Sequence, residues 1–379
     1  MGLNPGAQTP VLPVTVITTV FNEGPPVLDM LDSVMTGNAI PQEIVVADGG
    51  STDGTVRLLE EYATAHPQVR VLTETGGRSA GRNAAISAAT QDHIVCIDGG
   101  CLAEPDWLEK LAAPLLDGSD WVAGFYRAEG DTALSTAIGL TMVYVEEEVQ
   151  FPMFLPSARS MAFHKRVWAQ AGGFPEEMQF AEDTAFAESI RMAGHEMVFV
   201  PDAVVVWRPP PSMASQSKTA FAWGRGDGLI GMRSVAYRKL LSRFLVLSAL
   251  LLASIAFPLL LIPTVLGAGA YLYRNSRRKY RHMQSWQKWV WIPLATLNGL
   301  ASSLAGYISG YVGRRWGRMR VPLPTGAADD QLGPVLQTAA EGSDTPPPVG
   351  GLGMGAQIES LSPPQLDTGA DRGSEGLGV

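Results

Sequence analysis

Glu43-Ile44-Val45-Val46-Ala47-Asp48-Gly49-Gly50-Ser51-Thr52-Asp53-Gly54-Thr55 reads as a buried strand that ends on a carboxylate, turns through glycines and enters a helix. The helical pattern continues from Thr55 to Ala65, behind the capping-type cluster Ser51-Thr52-Asp53. The same grammar recurs on either side. Val14 to Val20 reads as a first strand and closes on Phe21-Asn22-Glu23, and His93 to Ile97 reads as a later strand that closes on Asp98-Gly99-Gly100-Cys101. Short apolar runs alternating with helical patterns, each run ending in a polar residue, predict an α/β domain with a mainly parallel sheet. In such sheets ligands bind outside the carboxyl ends of the strands, so those end residues are the first candidates for a site.

The chain has 379 residues, is 46% hydrophobic, and carries a formal net charge of −9. The stretch from Val321 to Val379 holds eight acids against one base, Arg372, so −7 of that charge belongs to the tail and the remainder is near neutral. No basic surface of the kind that grips nucleic acid is indicated. Cys96 and Cys101 are too few for a disulfide framework, which fits a reducing compartment. Met1 to Pro13 has no basic start and no apolar core of signal-peptide length, which predicts that the following domain stays in the cytoplasm.

Composition predicts four regions: a flexible N-terminus, 1–12; an α/β domain, 13–238; membrane-associated helices, 239–320; and a disordered acidic tail rich in Gly and Pro, 321–379. Within the third region, about 244–273 and 289–312 are apolar stretches longer than the ~20 residues a bilayer span needs. Basic residues flank both on every side: Arg233, Arg238, Lys239 and Arg243 before, Arg274 to Lys288 between, Arg314 to Arg320 after. Three basic flanks are incompatible with two single crossings under the positive-inside rule. Pro258 and Pro263 offer a resolution, by breaking the first stretch into a helical hairpin or re-entrant pair, for two or three segments in all.

Several polar residues stand where chemistry is expected. Asp48 precedes two glycines that let a ligand approach the backbone, whereas Asp53 reads as an ordinary helix cap. Gly76-Gly77-Arg78-Ser79-Ala80-Gly81-Arg82-Asn83 brings two arginines to a glycine-bearing helix start, a favourable place for an anion. Asp98 sits where a ribose or a divalent cation would be held. Glu182-Asp183 follows the turn Gly172-Gly173-Phe174 and precedes a helix; such a pair either supports the helix dipole or takes a proton from a hydroxyl.

Taken together, Val14 to Glu23, Asp48 to Thr55, Arg78 to Asn83, Ile97 to Cys101, Gly172 to Phe174 and Glu182-Asp183 resemble, in order and rough spacing, the family 2 glycosyltransferases of the membrane-attached polysaccharide or glycolipid type. The resemblance covers roughly residues 13–228. It implies a nucleotide-diphospho-sugar transferase domain of the GT-A fold, followed by the C-terminal membrane helices and the disordered tail. It also implies a donor that is a nucleotide sugar, UDP- or GDP-linked, and an acceptor that is a saccharide or a lipid-linked group. Transfer would proceed with inversion at the cytoplasmic face of the cell membrane. Residue by residue, Phe21 and Glu23 would line the nucleotide pocket, Asp48 would meet the base, and Arg78 and Asn83 would lie by the nucleotide. Asp98 would be the first position of the Asp-x-Asp motif and a metal ligand, Asp183 the catalytic base, Glu182 its acceptor-side neighbour, and Arg225 the cation that neutralises the departing diphosphate.

Two departures from the family pattern bear on cofactors. The second carboxylate of Asp-x-Asp is replaced by Gly100, and Trp207 stands where a His often follows the last strand. A single carboxylate is a poor site for Mg2+ or Mn2+, which collect several oxygen ligands. The same departures keep open an alternative, a catalytically inactive nucleotide-sugar-binding scaffold of the same fold.

Overall fold

In the computed structural model, residues 9–315 are described, apart from 152, 153 and 179. The acidic tail lies wholly outside the described residues, and the expected flexible N-terminus lies mostly outside them. Eight strands form one sheet: β1 (Val11–Val20), β2 (Ile40–Asp48), β3 (Val69–Thr73), β4 (His93–Cys96), β5 (Cys101–Ala103), β6 (Trp121–Ala128), β7 (Met161–His164) and β8 (Met197–Trp207). Six helices accompany the strands: α1 (Pro26–Met35), α2 (Thr55–Ala65), α3 (Arg78–Ala88), α4 (Trp107–Leu116), α5 (Ala133–Met142) and α6 (Lys165–Gln170). The remaining helices are α7 (Glu182–Met192), α8 (Met213–Ile230), α9 (Ser234–Ala256), α10 (Leu261–Ser276) and α11 (Lys288–Arg315).

The strand order is β3-β2-β1-β4-β7-β6-β8-β5. β3, β2, β1 and β4 run parallel, as the alternating pattern predicts. In the other half β6 and β8 also run parallel, so the sheet is mainly parallel as expected, with β7 antiparallel to β4 and β6 and β5 antiparallel to β8. β1 is covered on both faces, so Val14, Thr15, Val16, Ile17 and Thr18 are all buried and its sequence is a continuous run rather than an alternation. Cys96 and Cys101 are free and buried, and burial pushes each thiol up to about 12, which disfavours the reactive thiolate.

α3 crosses β1 and β2 at close range. A Cβ placed on Gly81 would stand 3.0 Å from Thr19 Cγ2 and 3.5 Å from Ala47 Cβ. This approach seats the neighbouring Arg82 beneath the carboxyl ends of β1 and β4.

The C-terminal helices begin with a packing device. Within α8, Trp223-Gly224-Arg225-Gly226-Asp227-Gly228 sets glycines on two opposite faces. Side chains on Gly224 or Gly228 would collide with the carbonyls of Ser303 and Tyr307 in α11, and one on Gly226 would press on Phe180. α11 answers with Gly306 and Gly310, which lie against the α8 backbone at Phe221 and Arg225. A buried polar ladder joins the same pair: Gln216 donates to the Ala295 carbonyl at 2.9 Å, and Asn298 donates to Gln216 at 2.8 Å. Buried Asp227 then receives two bonds from Arg233 and one from Tyr237, which stacks on Tyr307. The expected second apolar segment, 289–312, is therefore a helix docked along one face on α8.

The first segment, 244–273, is broken. α9 ends at Ala256, a short 3-10 turn at Pro258–Leu260 follows, and α10 returns, with Arg243 donating to Tyr271 across the pair at 3.3 Å. α9 is the one described helix long and apolar enough to cross a membrane. The hairpin tip is bare, with Phe257 66% and Leu259 85% exposed.

The close crossing gives a direct test. Gly228→Leu is expected to lower unfolding stability of the detergent-solubilised protein by about 1–3 kcal/mol through overpacking, with protease cleavage appearing first in α11; an unchanged melting curve would contradict the crossing.

Candidate active site

The carboxyl ends of β1, β2 and β4 converge with the starts of α3 and α7. Local turn chemistry sets their positions. Asn22 has a left-handed backbone (φ 54°), its amide N–H donates to Ser51 Oγ, and its side-chain carbonyl accepts from the Thr52 N–H, each at 2.8 Å. The loop after β1 is thereby latched to the loop after β2. Phe21 projects from that latch at 59% exposure, its ring against Gly49, and Glu23 lies beside Gly99. Burial raises the Glu23 carboxyl above its ordinary value, Asp98 adds to the shift, and Arg78 opposes it.

Beneath these loops lies a chain of charged groups. Arg82, 4% exposed, donates from Nη1 to Glu182 Oε1 at 2.8 Å and from Nη2 to Asp98 Oδ1 at 2.9 Å. Its guanidinium also lies 5.3 Å from the ring centre of Phe174. On the other side of Asp98, Arg159 Nε stands 3.8 Å from Oδ2, and its guanidinium is sandwiched 5.0 Å from both Tyr126 and Trp207. Burial alone would raise the Asp98 carboxyl. Arg82 first, then Arg159 and Arg78, more than offset that and hold it below its ordinary range.

Glu182 and Asp183 open α7, behind Ala181, a non-glycine residue held at φ 59°. Backbone strain of this kind costs on the order of 1–3 kcal/mol and clusters at functional sites. The two acids differ sharply. Glu182 is buried and engaged by Arg82. Asp183 is half-buried; one carboxylate oxygen accepts from the Thr184 N–H at 2.8 Å, and the other has no hydrogen-bond partner among the described residues. Asp183 is close enough to Arg82, Arg159 and Tyr126 to influence the titration of all three, so it faces the same cleft.

The contacts of three further residues singled out by the sequence are these. Asp48 is fully buried and clamps its own turn, accepting from the Gly50 and Ser51 N–H groups at 2.8 Å and from the Ser51 hydroxyl. Asn83 is held within the fold. Its amide donates to the Phe174 carbonyl and Glu176 and accepts from Trp168 and the Phe174 N–H, all at 2.9 Å, which fills its bonding capacity. Arg225 is exposed on α8, and no hydrogen bond or ion pair joins it to the Arg82 cluster among the described residues. Asp53 caps Thr55, as read.

Arg82 and Arg159 carry the cluster; the sequence reads Arg82 only as one of two arginines at an anion-favouring helix start and does not single out Arg159. The available signal for Arg82 is its spacing: it lies one helical turn after Arg78, on the same face of α3. Arg78 itself is exposed in the first turn of α3, followed by Ser79, whose buried hydroxyl has no partner among the described residues.

The donor set for a cation is thin. Asp98 at the β4 end is already paired with Arg82, Glu23 lies beside Gly99, and the position two residues after Asp98 is Gly100, around which a Cβ would meet nothing within 4 Å. No cluster of three or more His, Cys, Asp or Glu residues suited to a metal occurs among the described residues. The residues present do not by themselves form a protein-held Mg2+ or Mn2+ site.

Comparison with known proteins agrees with this geometry. Residues 15–161 match the family model described as Glycosyl transferase family 2. The chain is 27% identical over 230 residues to glycosyltransferase AglE of Haloferax volcanii, covering 58% of this chain and 75% of that protein. It is 23% identical over 216 residues to the glycosyltransferase EpsJ of Bacillus subtilis, covering 54% and 63%. Among solved structures it resembles the mannosyltransferase PcManGT of Pyrobaculum calidifontis in complex with GDP-Man and Mn2+, with a TM-score of 0.56, 22% identity, and coverage of 81% of this chain and 88% of that one. Residues 15–161 thus match the family 2 glycosyltransferase model, and the chain shares the fold of that mannosyltransferase.

The depressed Asp98 carboxyl fixes the direction of pH dependence. Stability from the Asp98–Arg82 pair is fully present above the ordinary aspartate pKa of about 3.9 and is lost as pH falls through the lower folded value. Arg82→Met is expected to cost about 3–5 kcal/mol at neutral pH, because it leaves buried Glu182 without its cation and deprives partly buried Asp98 of its nearest one, and to reduce that acid-side loss. Equal acid sensitivity in denaturant titrations of the two proteins would contradict the pairing.

Proposed function

We propose that the protein transfers a sugar from a nucleotide-diphospho-sugar to an acceptor hydroxyl with inversion, at the cytoplasmic face of the cell membrane. The observation that carries the reading is the division of labour at α7, where Glu182 is held by Arg82 while Asp183 keeps one oxygen free. Asp183 is the base. It takes the acceptor hydroxyl's proton as that oxygen bonds to the anomeric carbon, and the bond from carbon to the diphosphate oxygen breaks with its electron pair. General-base help of this kind is worth about 10²–10⁴-fold. Glu182 positions its neighbour through Arg82.

The donor lies over the loops after β1 and β4. Phe21 and Glu23 line the nucleoside pocket, and the diphosphate meets the start of α3, where the free Ser79 hydroxyl and the exposed Arg78 stand at the positive end of the helix dipole. Arg225, exposed and without a carboxylate partner among the described residues, is the second cation for the leaving group. Arginine carries this charge because Asp98 is paired with Arg82 and Arg159 rather than open to a cation, so no step is assigned to Mg2+ or Mn2+.

Membrane attachment follows from the hairpin. α9 as a whole is long enough to cross, but its part beyond the last basic residue, Phe244 to Ala256, runs about 20 Å at ~1.5 Å per residue, short of a hydrocarbon core of about 30 Å. The hairpin enters one leaflet and returns, which leaves all three basic flanks on the cytoplasmic side and satisfies the positive-inside rule. A lipid-linked or polysaccharide acceptor fits a site anchored in this way.

Release of nucleoside diphosphate from a panel of UDP- and GDP-sugars tests the reaction. Asp183→Asn is expected to lower kcat by about 10²–10⁴-fold while donor binding is kept; full turnover in the variant would remove Asp183 as base. Nucleotide binding with no release across the panel would favour the inactive scaffold instead. Topology has its own readout: Ser242→Cys and Ser285→Cys are expected to react with an impermeant thiol reagent from the same membrane side, and labelling from opposite sides would rule out the one-leaflet hairpin.

A further inference from the structure

The hairpin holds a feature that sugar transfer leaves unused. Between α9, α10 and α11 lies a groove of about 430 Å³, within the roughly 300–1,000 Å³ range of ligand sites. Its walls are mostly aliphatic, drawn from Leu247 and Leu250 of α9, Leu272 of α10, and Leu297 and Leu300 of α11. Arg243 is the one charged residue that lines it. The Thr264 hydroxyl is engaged by the Leu260 carbonyl at 2.7 Å and that of Ser242 by the Lys239 carbonyl at 2.8 Å, so neither reaches a ligand as a free donor. The polar end is therefore Arg243 with Tyr271, the guanidinium 5.3 Å from the ring centre and donating to the hydroxyl.

Arg243 has no carboxylate partner among the described residues, although it stands at the rim of an apolar groove. The outer surfaces of the same helices are bare hydrocarbon, with Leu252 67% and Ile255 79% exposed, so the groove opens among apolar surroundings rather than water. Gly267 keeps it open: a Cβ there would meet nothing within 4 Å, in the middle of a helix where glycine is otherwise unfavourable. We propose that this groove binds one phosphate-headed lipid, its chain lying along the aliphatic walls toward the hairpin tip and its phosphate meeting Arg243. The site goes beyond the transfer reaction and does not depend on which acceptor is used. Charge decides the head, because an unpaired guanidinium at the membrane interface forms charge-assisted bonds to phosphate, and shape decides the chain.

The test uses the full-length protein, delipidated in detergent, and native mass spectrometry. The probes are oleoyl lysophosphatidic acid and monoolein, which share a chain and differ in the phosphate. The wild type is expected to retain the phosphate lipid at least about tenfold more strongly than monoolein, a difference of about 1.4 kcal/mol. Gly267→Phe, which fills the groove, is expected to weaken the phosphate lipid by at least a comparable factor, and Arg243→Gln to bring it to the level of monoolein. Arg243→Lys should keep part of the preference. Equal retention of the two lipids by the wild type, or undiminished binding in Gly267→Phe, would overturn the proposal. Gly267→Leu provides a second fill that favours the helix, and if neither fill folds, the Arg243→Gln comparison decides.

Discussion

Arg82 is the interaction on which the rest of the site depends. A buried guanidinium is tolerated only when its charge and its fork of donors are met, and here two carboxylates from distant parts of the chain meet them. Asp98 comes from the end of β4 and Glu182 from the start of α7, so one cation fixes the donor-side loop against the acceptor-side helix. The close crossing of α3 over β1 and β2 at Gly81 places that cation. Asp183 inherits its position from the arrangement, since its neighbour is pinned and Ala181 holds the backbone in the left-handed region just before it.

The same cluster accounts for the departures from the family pattern. Where a second carboxylate would stand there is Gly100, and the charge of Asp98 is instead balanced by Arg82 and Arg159. Trp207, in the place of a His, forms one face of the aromatic sandwich that holds Arg159. Both replacements thus belong to one arginine-centred solution. Arg78 and Arg225, by contrast, are exposed.

Features encoded by neighbours in the sequence were legible in it. Strands β1, β2 and β4, the helix beginning at Thr55, the Asp53 cap and the placement of Glu182-Asp183 at a helix start all follow from turn residues and short apolar runs. Features that depend on remote partners were not. Asn83 reads as a ligand residue because it stands near a helix start, yet its partners Phe174 and Trp168 lie 91 and 85 residues away. Arg82 and Glu182 are 100 residues apart, and no local pattern announces their pairing. For Asp48 the partners are close in sequence instead: Gly50 and Ser51 engage its carboxylate. The glycines of α8 similarly serve packing against α11 and Phe180, which only the tertiary arrangement reveals. Antiparallel β7 also escaped notice, because its four residues carry no signal of direction.

The claim that Arg82 bridges the two halves of the site is tested most directly by a double-mutant cycle on unfolding stability with Asp98→Asn and Glu182→Gln. Each single change leaves Arg82 one ionised partner, and only the double change leaves it buried without any. The account predicts that the double variant loses more stability than the sum of the singles, by at least about 1 kcal/mol, within the 0.5–3 kcal/mol range of coupled neighbours. Additivity to within about 0.3–0.5 kcal/mol, the behaviour of independent sites, would contradict it.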